Sequence, residues 1–174
     1  MTRSEGHTVA VLMFGSDAPE AESLVDRAVA AVGLFVGSVE RISAAYRSAA
    51  YGFSSEREFV NRTAVIQTRL AAETLLRRIN LIEELMGRDR DVERRQQLAT
   101  GERYASRPID IDIIFFGDET ISTERLTVPY HYLDRREYAL RPLAEVAGDY
   151  RHPALGLTPR EMLAALTGEE KVYE

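Results

Sequence analysis

The chain has 174 residues, 45% of them hydrophobic, and its 22 lysines and arginines against 28 acidic residues give a net charge of −6. That composition supports one globular core, and the acidic balance argues against a general nucleic-acid binder. Cysteine does not occur, which excludes disulfides, zinc thiolates and thiol nucleophiles. Met1 to His7 lacks an apolar core segment, and no apolar run approaches the roughly 18 residues that span a bilayer. The expectation is a cytoplasmic single domain over 1–174, without nucleic-acid or membrane partners.

Thr8 to Phe14 (TVAVLMF) reads as a first, central strand ending at Gly15-Ser16. Asp17-Ala-Pro-Glu20 resembles a capping box opening a helix, with Leu24, Ala28, Ala31 or Val32 and Phe35 at helical spacing. Gly33 and Gly37 mark its expected end. Val39 to Arg47 reads as a second strand, Ser48 to Arg57 as a loop, and Phe59 to Thr68 as a third strand. Ala72 to Met86 carries an apolar stripe of Leu75, Leu76, Ile79, Ile82 and Met86, with Gly87 as C-cap. Residues 88–106 have little apolar content and read as a lid loop, with room for a short helix around Val92 to Leu98.

Arg107-Pro-Ile-Asp-Ile-Asp-Ile-Ile-Phe-Phe-Gly117 reads as a buried strand. Side chains alternate with period two, so Ile109, Ile111 and Ile113 share one face while Asp110 and Asp112 share the other. Same-face positions lie roughly 6–7 Å apart, a spacing that suits two divalent ions about 3.5–4 Å from each other. Solvated acids on an exposed face are the plain alternative. Gly117-Asp118 is expected to turn this strand into a hairpin toward Ile121, and Leu126 to Val128 forms a brief strand stopping at Pro129. Arg135 to Val146 is expected to be one or two helical turns interrupted at Pro142. Thr158-Pro-Arg-Glu161 is a second capping box, opening a terminal helix with Met162, Leu163 and Leu166. The order β-α-β-β-α-β with a C-terminal extension predicts an α+β fold with a ferredoxin-like core, a mostly antiparallel sheet with helices packed on it.

Eight arginines fall between Arg77 and Arg107 in an otherwise acidic chain. Guanidinium groups recognise phosphate bidentately, so this concentration beside paired acids points to a compact polyanion, the alternative being a charge-mixed solvated loop. Glu83, Arg88, Arg90, the polar lid and Arg107 bracket the aspartate strand. Together they make a phosphoryl-transfer kit, in which positioning and charge neutralisation matter more than covalent help. His7, His131 and His152 are scattered and supply no evident base.

These motifs resemble the 6-hydroxymethyl-7,8-dihydropterin pyrophosphokinases of folate biosynthesis. Residues 107–117 are similar to that family's R-x-[LI]-D-[LI]-D-[LI] signature, and the likeness extends over residues 8–147. It includes Gly15-Ser16, Ser43-x-x-Tyr46-Arg47-Ser48, Phe59-Val60-Asn61, Ile82-Glu83, Gly87-Arg88-x-Arg90, Arg125-Leu-Thr-Val-Pro129 and Arg136-x-Tyr138-x-Leu140-x-Pro142-Leu143. The resemblance implies pyrophosphate transfer from ATP to a dihydropterin, releasing AMP. It implies two Mg2+ ions on Asp110 and Asp112, with Arg88 and Arg107 acting on the triphosphate. It further implies ATP contacts from Leu76, Glu83, Arg90, Ile113, Arg125, Thr127, Tyr130, His131 and Arg136. The pterin positions it implies are Ser48, Ala49, Tyr51, Phe59, Asn61 and Tyr138. Phe59 and Tyr138 would sandwich the flat ring, and Asn61 would pair with its amide-like edge; from the residues alone, core packing is the favoured reading of both rings. Four positions depart from the family pattern: Asp17 stands for asparagine, Ser48-Ala49 for Thr-Pro, and Tyr130 for the histidine after Pro129. A monomer is expected, with weak self-association at most. Two other functions stay open at this stage, a divergent paralogue that binds nucleotide or pterin without transfer and a nucleotide-sugar transferase using its D-x-D.

Overall fold

The structure is a computed structural model describing residues 6–49, 58–102 and 105–168. Tyr51 of the expected pterin set and Arg103 of the arginine-rich stretch lie outside the described residues. The main sheet comprises β1 (Thr8–Ser16), β2 (Ser38–Ile42), β3 (Tyr46–Ser48), β4 (Phe59–Thr68) and β5 (Asp110–Phe116). Its order is β2-β4-β1-β5, with β3 pairing β4 beyond β2, and every pair is antiparallel. The expected ferredoxin-like core is therefore present. The central strands β1 and β4 are apolar on both faces, so both faces need a cover.

On one face, α1 (Ala21–Phe35) and α2 (Ala72–Leu85) pack Val25, Ala28, Val32, Leu75 and Ile79 against Leu12, Phe14, Ala64, Ile66, Ile109, Ile111 and Ile113. A further helix, α3 (Arg90–Thr100), follows α2 but buries no residue. The opposite face is covered by α4 (Glu137–Ala147) and α5 (Pro159–Thr167), whose Leu140, Leu143, Val146 and Met162 meet Val11, Met13, Val65 and Phe115. A bulge divides β5 between the two cores. Leu12 pairs with Ile113 and Val11 with Phe115, so Ile114 is the extra residue, and Ile114 and Phe115 both enter the second core.

Several boundaries differ from expectation. The expected strand 39–47 is two strands, β2 and β3. The break at Ser43 is held by the Ser43 N–H donating to the Thr63 carbonyl at 2.9 Å and the Thr63 N–H donating to Ser43 Oγ at 3.0 Å. Asp17-Ala-Pro-Glu20 is not a capping box: α1 has Glu20 at its N-cap with no side-chain cap, and Asp17 is turned elsewhere. Helix α1 runs through Gly33 to Phe35. The expected lid loop holds the eleven-residue α3, capped by Asp89 accepting from the N–H groups of Asp91 and Val92. No hairpin joins β5 to Ile121; instead β6 (Ile121–Ser122) pairs with β7 (Thr127–Val128). Helix α4 continues through Pro142. The proline is buried beside Ala139, Leu140 and Leu143, and that packing offsets the missing backbone bond. The second capping box is formed as expected, with reciprocal Thr158 and Glu161 bonds.

Candidate active site

The antiparallel register lays one straight row across the sheet, because Tyr46 opposes Asn61, Asn61 opposes Gly15, and Gly15 opposes Asp110. Opposed residues share a face, so Asn61, Gly15 and Asp110 line one surface, joined by their period-two neighbours Phe59, Met13 and Asp112. This surface floors a pocket lined also by Ser48, Ala49, Arg107, Tyr130, Arg136 and Tyr138. A Cβ at Gly15 would come 3.1 Å from Asn61 Oδ1, so a larger residue at the centre of this floor would press on the Asn61 amide. All described members of the expected pterin set therefore converge on one cavity with both aspartates. Asn61 Nδ2 donates to Ser48 Oγ at 3.1 Å, which orients its amide.

The two acids meet different surroundings. Asp110 Oδ1 accepts from Arg88 Nη1 at 2.6 Å, and Asp110 Oδ2 pairs with Arg107 Nη2 at 2.8 Å. Burial would raise the Asp110 carboxyl, but Arg107 and Arg88 outweigh it and hold it below the ordinary carboxylate range. Asp112 is half-buried beside the Asp110 charge, and these two effects exceed the attraction of Arg107, pushing it up to about 8. Arg88 is a hub of three elements: it reaches Glu83 on α2 at 2.8 Å, Glu93 on α3 at 2.7 Å and Asp110 on β5. Gly87, at φ +97°, turns the chain so that the Arg88 N–H donates to the Glu83 carbonyl at 3.0 Å.

Glu83 is 1% exposed and its carboxylate is filled from within the protein. Oε1 accepts from the Ile111 N–H at 2.7 Å and from Arg88, and Oε2 from Arg90 Nη2 at 2.5 Å. The expected nucleotide contact is thus placed as an internal tie between α2, β5 and the two arginines. Arg107 lies over the Phe59 ring, its guanidinium carbon 5.9 Å from the centroid.

Tyr130 and Arg136, expected at the nucleotide, stand in the same pocket wall as Tyr138. Arg136 Nη1 donates to the Tyr130 hydroxyl at 2.5 Å and to the Tyr138 hydroxyl at 3.1 Å, and the guanidinium stacks 4.7 Å above the Tyr130 ring. His131 is exposed, with Nε2 3.4 Å from Arg136 Nη2. Tyr130, rather than His131, faces the cavity. Leu76 is half-buried on α2, Arg90 opens α3, and Ile113 is 4% exposed in the core, leaving it little side-chain surface. Arg125 and Thr127 are exposed at the β6–β7 hairpin and do not line the cavity.

Sequence reasoning left out Met13, Gly15, Asp17 and Glu93. Gly15 was legible as a turn residue but not as a floor, since its neighbours Asn61 and Asp110 are set by pairing alone. Among the described residues no cluster of three or more His, Asp or Glu could hold a metal. The chain therefore offers two hard carboxylate donors and open positions. That set fits Mg2+, which keeps waters and takes substrate phosphates rather than an all-protein cage.

A family model described as 7,8-dihydro-6-hydroxymethylpterin-pyrophosphokinase (HPPK) matches residues 11–148. A 2-amino-4-hydroxy-6-hydroxymethyldihydropteridine pyrophosphokinase of Synechocystis is 33% identical over 153 residues, covering 87% of this chain and 72% of that protein. Its namesake in Aquifex aeolicus is 31% identical over 142 residues, 82% of each chain. A crystal structure of wild-type Plasmodium falciparum HPPK-DHPS shares the fold with a TM-score of 0.71 over 93% of this chain at 17% identity. The chain spans 45% of that longer protein.

Proposed function

The chain belongs to the 7,8-dihydro-6-hydroxymethylpterin-pyrophosphokinase family, and from that membership we propose that it transfers pyrophosphate from ATP to the hydroxymethyl group of 6-hydroxymethyl-7,8-dihydropterin in folate biosynthesis. The observation that carries this reading is the shared pocket: a slot with aromatic walls and an oriented amide lies on the same sheet face as two acids and Arg107. The substrate oxygen forms a bond to the β-phosphorus, the bond from that phosphorus to the α-phosphate bridging oxygen breaks, and AMP leaves with the bridging oxygen. Among the described residues no histidine lines the pocket, and the hydroxyl proton is released to solvent water as the new bond forms.

Phe59 and Tyr138 hold the ring by stacking and apolar burial, and Asn61 reads its edge, together with Ser48, Ala49 and Tyr51. Asp110 and Asp112 would hold two Mg2+ ions, which neutralise phosphate oxygens and polarise the attacking hydroxyl when bound. Arg107 and Arg88 stabilise the charge that builds on the transferred group and on departing AMP. Tyr130 and Arg136 orient the phosphate chain from the opposite wall. Leu76, Arg90, Arg125, Thr127 and His131 form the outer nucleotide surface, to which the buried Ile113 can offer backbone only, and Glu83 acts by holding Arg88 and Arg90. Substrates are small molecules and the active species is a monomer. Among the described residues no helix is long and apolar enough to cross a membrane, in keeping with the cytoplasmic location proposed here.

No observation favours a binder without transfer, because the acid pair and both arginines stand assembled in one site. Incubation with ATP, Mg2+ and the dihydropterin is expected to yield AMP and the pterin diphosphate. ADP as the sole nucleotide product would rule out attack at the β-phosphorus.

A further inference from the structure

The turn after β1 grips the segment that leads into β5. Ser16 Oγ donates to the Pro108 carbonyl at 2.6 Å and accepts from the Ala18 N–H at 3.2 Å. One residue on, Asp17 Oδ1 accepts from the Arg107 N–H at 3.1 Å, across 90 residues of sequence. Asp17 is 1% exposed, and its second oxygen, Oδ2, is buried with no hydrogen-bond partner. A carboxylate placed this way costs folding energy that a small apolar side chain would not. Helix capping does not explain it, since α1 takes no cap from Asp17.

The beneficiary of this contact is Arg107. Its guanidinium reaches Asp110 Oδ2 and lies over Phe59, while its own Nε is buried without a hydrogen bond. Besides these contacts and an Nη1 bond to the Ala105 carbonyl at 3.3 Å, the aim of the side chain depends on the backbone that carries it. Pro108 confines the preceding residue to extended conformations, which still leaves freedom in ψ. The Asp17 bond to the Arg107 amide and the Ser16 bond to the Pro108 carbonyl fix what remains.

We propose that Asp17 is a positioning residue for the transfer reaction, which acts through the backbone of Arg107 to aim its guanidinium at the transferring phosphate. The consequence for rate rests on the pyrophosphokinase reading, whereas the contact itself does not. Because Arg107 acts on charge that develops during transfer, a misaimed guanidinium costs turnover more than ground-state binding.

Steady-state kinetics and hydrogen exchange at the Arg107 amide, both on the full chain, test it. Asp17→Ala is expected to speed exchange at that amide by about tenfold or more. It should also lower kcat by roughly 10–100-fold, with KM for ATP and for the pterin changed by less than about threefold. Asp17→Asn keeps an acceptor of the same shape and is expected to recover kcat to within about threefold of the parent. A purely structural role would lower the melting temperature and leave kcat per folded molecule unchanged in Asp17→Ala, which overturns the proposal. Failure of Asp17→Asn to recover turnover overturns it as well. Unaltered exchange at Arg107 does so whatever the activity. If the parent protein makes no AMP, the reaction assigned above fails, and the exchange measurement still decides the contact.

Discussion

Asp110 and Asp112 stand two residues apart on one face, yet their surroundings drive their carboxyls in opposite directions. Asp110 is held below the ordinary carboxylate range by two guanidinium groups, whereas Asp112, half-buried beside that charge, is pushed up to about 8 from the ordinary 3.8. Without metal, the folded state binds the extra proton between those two values. Stability therefore falls as pH rises across that window, and Asp112→Asn should flatten the fall in a melting series from pH 5 to 9. A cation must displace the same proton, so apparent Mg2+ affinity should rise roughly tenfold per pH unit up to about pH 8, as calorimetry would show. Asp110 has the converse role. In the resting site it occupies Arg88 and Arg107, the groups proposed to meet phosphate. Asp110→Asn is expected to abolish turnover and yet tighten metal-free ATP binding severalfold, because the arginines lose their strongest competitor. Weaker metal-free binding in that variant would place the guanidiniums away from the nucleotide.

Among the helices, burial separates those that hold the fold from the one that can move. Helix α5 is capped by the Thr158–Glu161 box and seals the second core with Met162, whereas α3 has a comparable cap at Asp89 and buries nothing. Equal caps should then have unequal consequences. Thr158→Ala is expected to cost about 1 kcal/mol of global stability without touching kcat. Asp89→Ala should leave the melting temperature nearly unchanged and speed amide exchange over residues 90–100. The same contrast explains what was legible in the sequence. Phe59–Thr68 and the α2 stripe follow from local alternation and helical spacing, and the structure places both within a residue of expectation. The break at Ser43, the pairing of β6 with β7 and the Asp17 contact to Arg107 depend on partners 20, 5 to 7 and 90 residues away in chain order. No local pattern encodes those partners. The continuity of α4 through Pro142 was hidden for a related reason, since the second core, not the helix's own propensity, supports it.

At the scale of the molecule, the added α4 and α5 turn a one-sided ferredoxin-like layer into a sheet with two cores, and the pocket is the part of the second face they leave uncovered. The paired acids could be picked out from the chain because their residue type carries chemistry, and Asn61 and Phe59 through the family resemblance, but their convergence is a property of register. That register also measures. Asn61 and Asp110 are separated by two interstrand steps of about 4.8 Å each, with a glycine between them. Hydrogen-bonded strand spacing is among the least adjustable lengths in a protein, so the sheet serves as a ruler between the amide proposed to read the heterocycle and the acids proposed to govern the phosphate. A single methylene arm suits that gauge. A pterin bearing a two-carbon alcohol should still enter the slot, but its oxygen would overshoot the β-phosphorus, and turnover should fall by roughly a hundredfold with little change in binding.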